Sequence, residues 1–502
     1  MPSITYNDFS GGLDRRLPIN VQEASRLWIL RNAYITLGKR IKKRPCLKLQ
    51  ADFNLANSYG LETVNGQLAV FTSRGTTIDI PSGISVPGGG GGSLPLMTQY
   101  QLDSPVVVDA SVEFLGVNWA DIFQGYPYVV ARYKVTYSSA PPAIVYYRTK
   151  HHYLDTNPNT LITDANCPHS ASVTKAAGRV FAINGETVRY CAVGAARDWT
   201  TASDAGFLPT GLQQDTKEPC TAVGTFQDSL VAFYPEGAQI WNVATDPSAN
   251  SIKKRIAGVG CSFPQSQAAW ASDLGFLSHY GFRSMTVTQS TDRIDDIDIG
   301  VPIDPLVVAD IKTSNTIAPS TRIDPFGVWI PQLGQYWCIF DNGTTSKVWA
   351  YSYSRTSKVA CWSDYTLPVR VTGLTTLGGT VYLRTATQLY TVDADTYTDN
   401  GTSVPVEVQM AFQDAKSPGI LKQFTGADYV MEGSATIAFK YDPRDQGKET
   451  IPQLVTGDTR PGDVVPLEIC ATALAPVFRH EADEAFEMSQ ATFYYYVLGA
   501  IG

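Results

Sequence analysis

The sequence predicts a mainly β fold: a degenerate six- or seven-bladed β-propeller with a β-rich platform domain and an N-terminal arm. Composition and one repeat carry that reading. Gly (41), Pro (30) and Tyr (26) are plentiful among the 502 residues, and such residues suit tight turns and pleated strands better than long helices. Hydrophobic residues are 44% and charged residues only 17%, which at this length fills more than one core. Segments made of a Gly or Asp turn between apolar strands recur at Gly66, Gly125, Gly178, Asp228, Gly275, Gly327 and Gly379, about 50 residues apart. A lone hairpin is marginal in water, so each unit needs neighbours, and radial stacking buries both faces while shielding the edges. Paired hairpins in stacked sandwiches are the competing arrangement.

The N-terminal arm spans residues 1–58. Within it VQEASRLWILRNAYI, residues 21–35, predicts a helix, with Leu27, Leu30 and Tyr34 on one stripe. The arm then enters GKRIKKRPCLKL, where six of twelve residues are Lys or Arg although the chain carries a formal charge of −8. An extended backbone puts Lys39, Ile41 and Lys43 on one face and Arg40, Lys42 and Arg44 on the other. Neither face is wholly basic and no aromatic residue lies within the run to stack on a base, which argues against a nucleic-acid clamp. That Lys39, Arg40, Lys42, Lys43 and Arg44 meet an acidic neighbouring subunit or adaptor is an expectation carried by a family resemblance of this arm.

The propeller is expected over residues 59–398. Five consecutive glycines, Gly88 to Gly92, make residues 81–96 an exposed insertion. A phosphate-cradling loop would need a Lys-Ser/Thr ending and a following helix, which this stretch lacks. Asn184-Gly185 fits a type I′ hairpin turn. After the turn-rich boundary TYTDNGTS, the alternation in VPVEVQMAF and SATIAFKYDPRD predicts a separate β platform over 399–502.

No catalytic, cofactor or metal site is expected. The eight Cys are scattered with no C-x-x-C spacing, which reads as buried free thiols rather than zinc or redox chemistry. Asp292, Asp295, Asp296 and Asp298 cluster without EF-hand spacing; a solvated strand face is expected, and a cation there stays open. His151 and His152 read as an exposed loop pair without a neighbouring nucleophile, and His169, His279 and His480 as buried, hydrogen-bonded side chains. Apolar runs are too short for a membrane helix, and the N-terminus lacks the basic start and apolar core of a secretory signal. A soluble protein folding in a cytoplasm is expected.

Three segments together resemble the tail structural proteins of short-tailed bacteriophages. At the start, Phe9, Gly11, Gly12 and Leu13 are followed by Leu30, Asn32, Ala33 and Tyr34, then by Gly38, Ile41, Arg44 and Pro45. Residues 274–307 and 406–442 look alike to the same group. Cys46 departs from the pattern, which continues with Gly, so a different turn is expected there. The resemblance implies a virion tail protein assembled in the host cytoplasm: a nozzle, typically a hexameric ring of propeller subunits on a β platform. Such a ring meets the portal and adaptor proteins and tail fibres or a needle, retains the packaged genome and conducts double-stranded DNA without holding it. A tail-fibre or receptor-binding module is the alternative function, and a propeller enzyme acting on polysaccharide a further one.

Overall fold

The structure, a computed structural model, describes residues 2–51, 53–78, 80, 97–137, 143–213, 218–291, 298–460 and 462–500. The Gly-rich stretch 81–96 falls outside the described residues, as do Asp292, Asp295 and Asp296. Strands dominate. Two α-helices, Met285–Thr291 and Asp304–Ser314, occur among the described residues.

Six small sheets and one four-stranded part of a ten-stranded sheet follow one another along the described chain. Blade 1 holds Ser58–Val64, Gln67–Ser73 and Met97–Leu102; blade 2 holds Ser111–Phe123, Tyr126–Tyr137 and Ile144–Tyr153. Blade 3 holds Val173–Ala176, Arg179–Asn184, Thr187–Tyr190 and Gly206–Leu208, and blade 4 holds Ala222–Phe226, Ser229–Tyr234, Gly237–Asn242 and Ser251–Ala257. Blade 5 holds Ala268–Trp270, Asp273–Ser278 and Gly281–Ser284, and blade 6 holds Phe326–Ile330, Gln335–Asp341, Ser346–Ser354 and Val359–Leu367. Blade 7 holds Gly373–Leu377, Thr380–Arg384 and Leu389–Asp393, and takes its fourth strand, Cys46–Leu49, from the N-terminal arm.

The sheets close into a ring. The first strand of blade 1 lies against the first strands of both blade 2 and blade 7, and each pair of neighbouring blades shares an apolar cluster. Leu61 and Val70 of blade 1 pack with Tyr382 and Leu389 of blade 7; Phe123 and Tyr128 of blade 2 pack with Val173 and Val180 of blade 3. Blade faces alone would expose these side chains, so stacking is what stabilises each sheet. The ring has seven blades and excludes the stacked-sandwich arrangement.

Turn chemistry explains the repeat. In Asn65-Gly66, Gln124-Gly125, Ala177-Gly178 and Gly378-Gly379, both central residues have positive φ, as a two-residue turn matched to strand twist requires. These turns join the first and second strands of blades 1, 2, 3 and 7. Two anchors behave differently, because Gly275 and Gly327 lie inside strands of blades 5 and 6. The Asn184-Gly185 turn is also corrected: Asn184 pairs with Thr187, so the turn residues are Gly185 and Glu186, and of these only Gly185 has positive φ.

The platform is two sheets face to face. One has the order Val465–Ala471, Ile420–Glu432, Glu487–Ala500, Ile41–Lys43, Ala33–Ile35, with Ser3–Tyr6 also on Glu487–Ala500. The other runs Arg26–Arg31, Val406–Met410, Ala475–His480, Ser434–Lys440, Gln453–Thr456. Through the single pair Asp364 with Arg31 it continues into the outer strand of blade 6. The helix expected over 21–35 does not form. Arg26–Arg31 and Ala33–Ile35 are strands, separated by Asn32 at φ 53°, a left-handed value that a helix interior does not hold. Leu27 and Leu30 are fully buried between the sheets. One apolar cluster runs from Phe9, Leu27 and Phe493 in the platform to Trp270, Tyr336 and Trp362 in blades 5 and 6, so platform and propeller share a core.

Candidate functional site

The residues of the N-terminal motif converge where platform meets propeller. Asn32 is the hub. Its side-chain amide donates to Pro405 O at 2.8 Å, and its Oδ1 accepts from Arg44 Nε at 3.1 Å and Thr366 N at 2.9 Å. Arg44 is buried and pairs with buried Asp399 through both guanidinium arms. It also donates to Thr366 O at 2.9 Å in the outer strand of blade 6, while Asp399 accepts from Leu47 N at 2.8 Å. One arginine therefore ties arm, blade 6 and the start of the C-terminal segment together. A β-carbon on Gly12 would lie 2.5 Å from Cys361 Cβ in blade 6, and φ there is +54°; only Gly admits that approach.

This geometry corrects two of the five expected interface residues. Lys43 and Arg44 are buried and cannot meet a neighbouring subunit. Lys43 Nζ donates to Ala482 O at 3.0 Å and to His480 Nε2 at 3.3 Å, and burial pulls its pKa down. The other three cations also have partners within the chain: Lys39 with Asp8 at 2.7 Å, Arg40 with Glu487 at 2.9 Å and Lys42 with Glu487 at 3.8 Å. Four carboxylates, Asp8, Glu487, Asp399 and Asp393, partly offset the charge of this run within the chain. Cys46 opens a strand and is absent from the positive-φ residues, so its side chain costs no backbone strain.

A second constellation sits at the mouth of the propeller. A cavity of ≈ 840 Å³ is lined by the first strands of all seven blades, a size in the range of about 300–1,000 Å³ usual for small-molecule pockets. Ser320, Thr321, Arg322, Ile323 and Asp324 also line it. They belong to the connection that follows the helix Asp304–Ser314. Pro319 O in this loop accepts from Arg132 Nη2 of blade 2 at 2.8 Å. Thr321 O accepts from Arg370 Nη2 at 2.5 Å, and Ile323 N donates to Asp341 of blade 6 at 3.0 Å. Blades 2 and 6 lie on opposite sides of a seven-membered ring, so the loop crosses the channel mouth.

Two charged groups in the cavity wall are shifted. Burial, then the charge of Asp121, pushes the Glu62 carboxyl up to about 8. Arg384 donates to Ser58 Oγ at 2.9 Å and Thr372 Oγ1 at 2.5 Å, stitching blade 7 to blade 1, and burial lowers its pKa to about 10. Sequence reading missed both, since nothing in their local spacing marks them. The one available signal was the long connection between blades 5 and 6.

The remaining expectations divide. His151 and His152 are not an exposed loop pair: they end a strand of blade 2 and are 1% and 0% exposed. His151 Nδ1 lies 2.7 Å from Tyr128 OH and its Nε2 lies 2.9 Å from Ser170 O, an arrangement for neutral imidazole. Conversely, His169 and His279 are exposed rather than buried, whereas His480 is buried. Asp298 is no solvated strand residue. It is 2% exposed and accepts from Ser284 N and Ile299 N, with burial pushing its pKa up to about 6. Seven Cys are buried free thiols; Cys470 is exposed. Among the described residues, no group of three or more His, Cys, Asp or Glu side chains could hold a metal ion, and no helix is long and apolar enough to cross a membrane.

No family profile and no curated protein matches the chain. Among solved structures it is similar to the PQQ-bound aldose sugar dehydrogenase of Streptomyces coelicolor, at 11% identity and TM-score 0.30, covering 70% of this chain and 98% of that one. It is also similar to an exo-β-1,3-galactanase of Phanerochaete chrysosporium, at 11% identity and TM-score 0.21, covering 68% and 98%. At these values the ring architecture rests on sheet order and inter-blade packing, and no chemistry is carried across.

Proposed function

We propose that the chain is a structural subunit of the tail nozzle of a short-tailed bacteriophage, part of a ring that closes the DNA channel, retains the genome and conducts it during ejection. One observation supports this reading above others. The motif residues Gly12, Asn32 and Arg44, whose pattern resembles that family, are all engaged in joining propeller to platform, which suits an architectural part. The basic run also fits, because its cations have partners inside the chain and leave little to neutralise phosphates, and a conduit must let duplex slide. The propeller's own channel is crossed by a loop, so the DNA path in this reading runs between subunits.

Gold-labelled antibody against the chain, imaged on purified virions, tests the proposal. Label in a ring below the portal is expected; label at fibre tips would sink it. A polysaccharide-cleaving propeller is the competing reading, favoured by Glu62, which lines the cavity and whose carboxyl burial pushes up to about 8, toward the range a general acid uses. Depolymerisation of host capsule by the purified chain, lost in Glu62→Gln, would replace the nozzle reading with this one.

A further inference from the structure

Blade 2 is unlike its neighbours. Its strands run for 13, 12 and 10 residues, against 4, 6, 4 and 3 in blade 3. At about 3.3 Å per residue the surplus carries the sheet well beyond the ring. In that projection Tyr133, Val135 and Tyr137 stand opposite Arg148, Tyr146 and Ile144, so these six share one face. On that face Arg148 lies over Tyr146, and on the other Arg132 lies over Tyr147. Ile144, Val145, Tyr146 and Tyr147 are 44%, 40%, 45% and 39% exposed. Among the described residues, the strand that carries them is bridged to Leu161 at its inner end, at His152, and its projecting part is paired on one side only. The strand stretches 111–117, 132–137 and 144–150 hold four cations and one carboxylate, Glu113, which pairs with Lys134 at 3.3 Å. An apolar, basic, open-edged projection of this kind is a docking surface.

The occupant follows from where the opposite charge lies. Residues 399–502 carry fifteen acidic and seven basic side chains, a net of −8, which equals the formal charge of the whole chain. The rest of the chain is neutral. Within that segment Val465–Ala471 is the outer strand of its sheet, with Asp463 and Glu468 exposed. Val464 beside it is 47% exposed, and Tyr496 and Val497, on the far side of Ile420–Glu432, are 52% and 59% exposed. The chain thus bears two unlike, complementary surfaces, the arrangement that builds head-to-tail rings.

We propose that the blade 2 hairpin of one copy docks on the acidic edge strand Val465–Ala471, with Asp463 and Glu468, of the next copy. This rests on the ring reading above and names its contact. Zero-length carbodiimide coupling of lysines to carboxylates, applied to assembled tails and read by mass spectrometry, tests it. Intermolecular links from Lys134 or Lys150 to Asp463 or Glu468 are expected. In the purified full chain, Lys134→Glu with Arg148→Glu should weaken self-association by about tenfold or more, and adding Glu468→Lys should restore part of the loss. Circular dichroism confirms that the variants, changed only at surface positions, remain folded. A ring whose links avoid the hairpin overturns the contact and leaves the nozzle reading standing. Links from the hairpin to a different virion protein overturn it likewise. Tails that contain no ring of this chain overturn both.

Discussion

Arg44 shows how one residue type serves opposite ends within a single run. Arg40 and Arg44 carry the same charge four positions apart, yet the first is half-exposed beside Glu487 and the second is 1% exposed against Asp399. Removing one partner of a buried pair strands the other, so Arg44→Met should lower unfolding free energy by about 3–5 kcal/mol. Denaturant titration checks this, and Arg44→Met with Asp399→Asn should lose less than the single change. The buried histidines give a pH dependence. His151 and His152 have their pKa values pulled from 6.5 to about 4 and about 3, chiefly by burial. Between those values the unfolded chain binds more protons than the folded one, so these groups contribute stability above pH 6.5 that is lost as pH falls toward 4. Thermal melts across this window should show that fall, and His151→Asn should flatten it. Such roles were not legible locally, because burial of a His or Arg depends on strands that arrive from elsewhere in the chain.

At the scale of elements, the arm does two jobs. Its strands Arg26–Arg31 and Ile41–Lys43 enter the two platform sheets, and Cys46–Leu49 completes blade 7. Leu47 packs with Leu374, Val381 and Leu383 at the join of blades 6 and 7. Leu47→Ala should cost about 2–5 kcal/mol, with hydrogen exchange rising first in blades 7 and 1, where the ring closes. Gly12→Ala meets both a left-handed backbone and the Cys361 contact; a Tm drop with increased exchange at the platform–blade 6 junction is the expected outcome. The helix expected over 21–35 failed for a nameable reason: Leu27, Leu30 and Tyr34 fit a helical stripe, but the flanking strand Val406–Met410 offers Arg26–Arg31 a paired edge, and tertiary pairing overrides local period.

For the whole molecule, charge is segregated rather than uniform. The net of −8 resides in residues 399–502, while the conspicuous basic run is partly offset by Asp8, Asp399 and Glu487. Band-shift titration of the purified chain with double-stranded DNA at about 0.15 M salt, where surface attraction is screened beyond about 8 Å, should show no stable complex. A tight complex abolished by Lys42→Glu would restore the clamp reading of the run.

The sequence by itself determined the strand-rich class, the spacing of the blade hairpins and the turn glycines, because these follow from local backbone preference and side-chain alternation. Gly66, Gly125, Gly178 and Gly379 were readable as turns for that reason. Only the tertiary structure decided the blade count, the closure of blade 7 by Cys46–Leu49, the burial of Arg44 on Asp399 and the loop across the channel mouth. Each of these joins residues far apart in the chain, more than 300 positions for Arg44 and Asp399, and no local pattern encodes which distant strand supplies the partner.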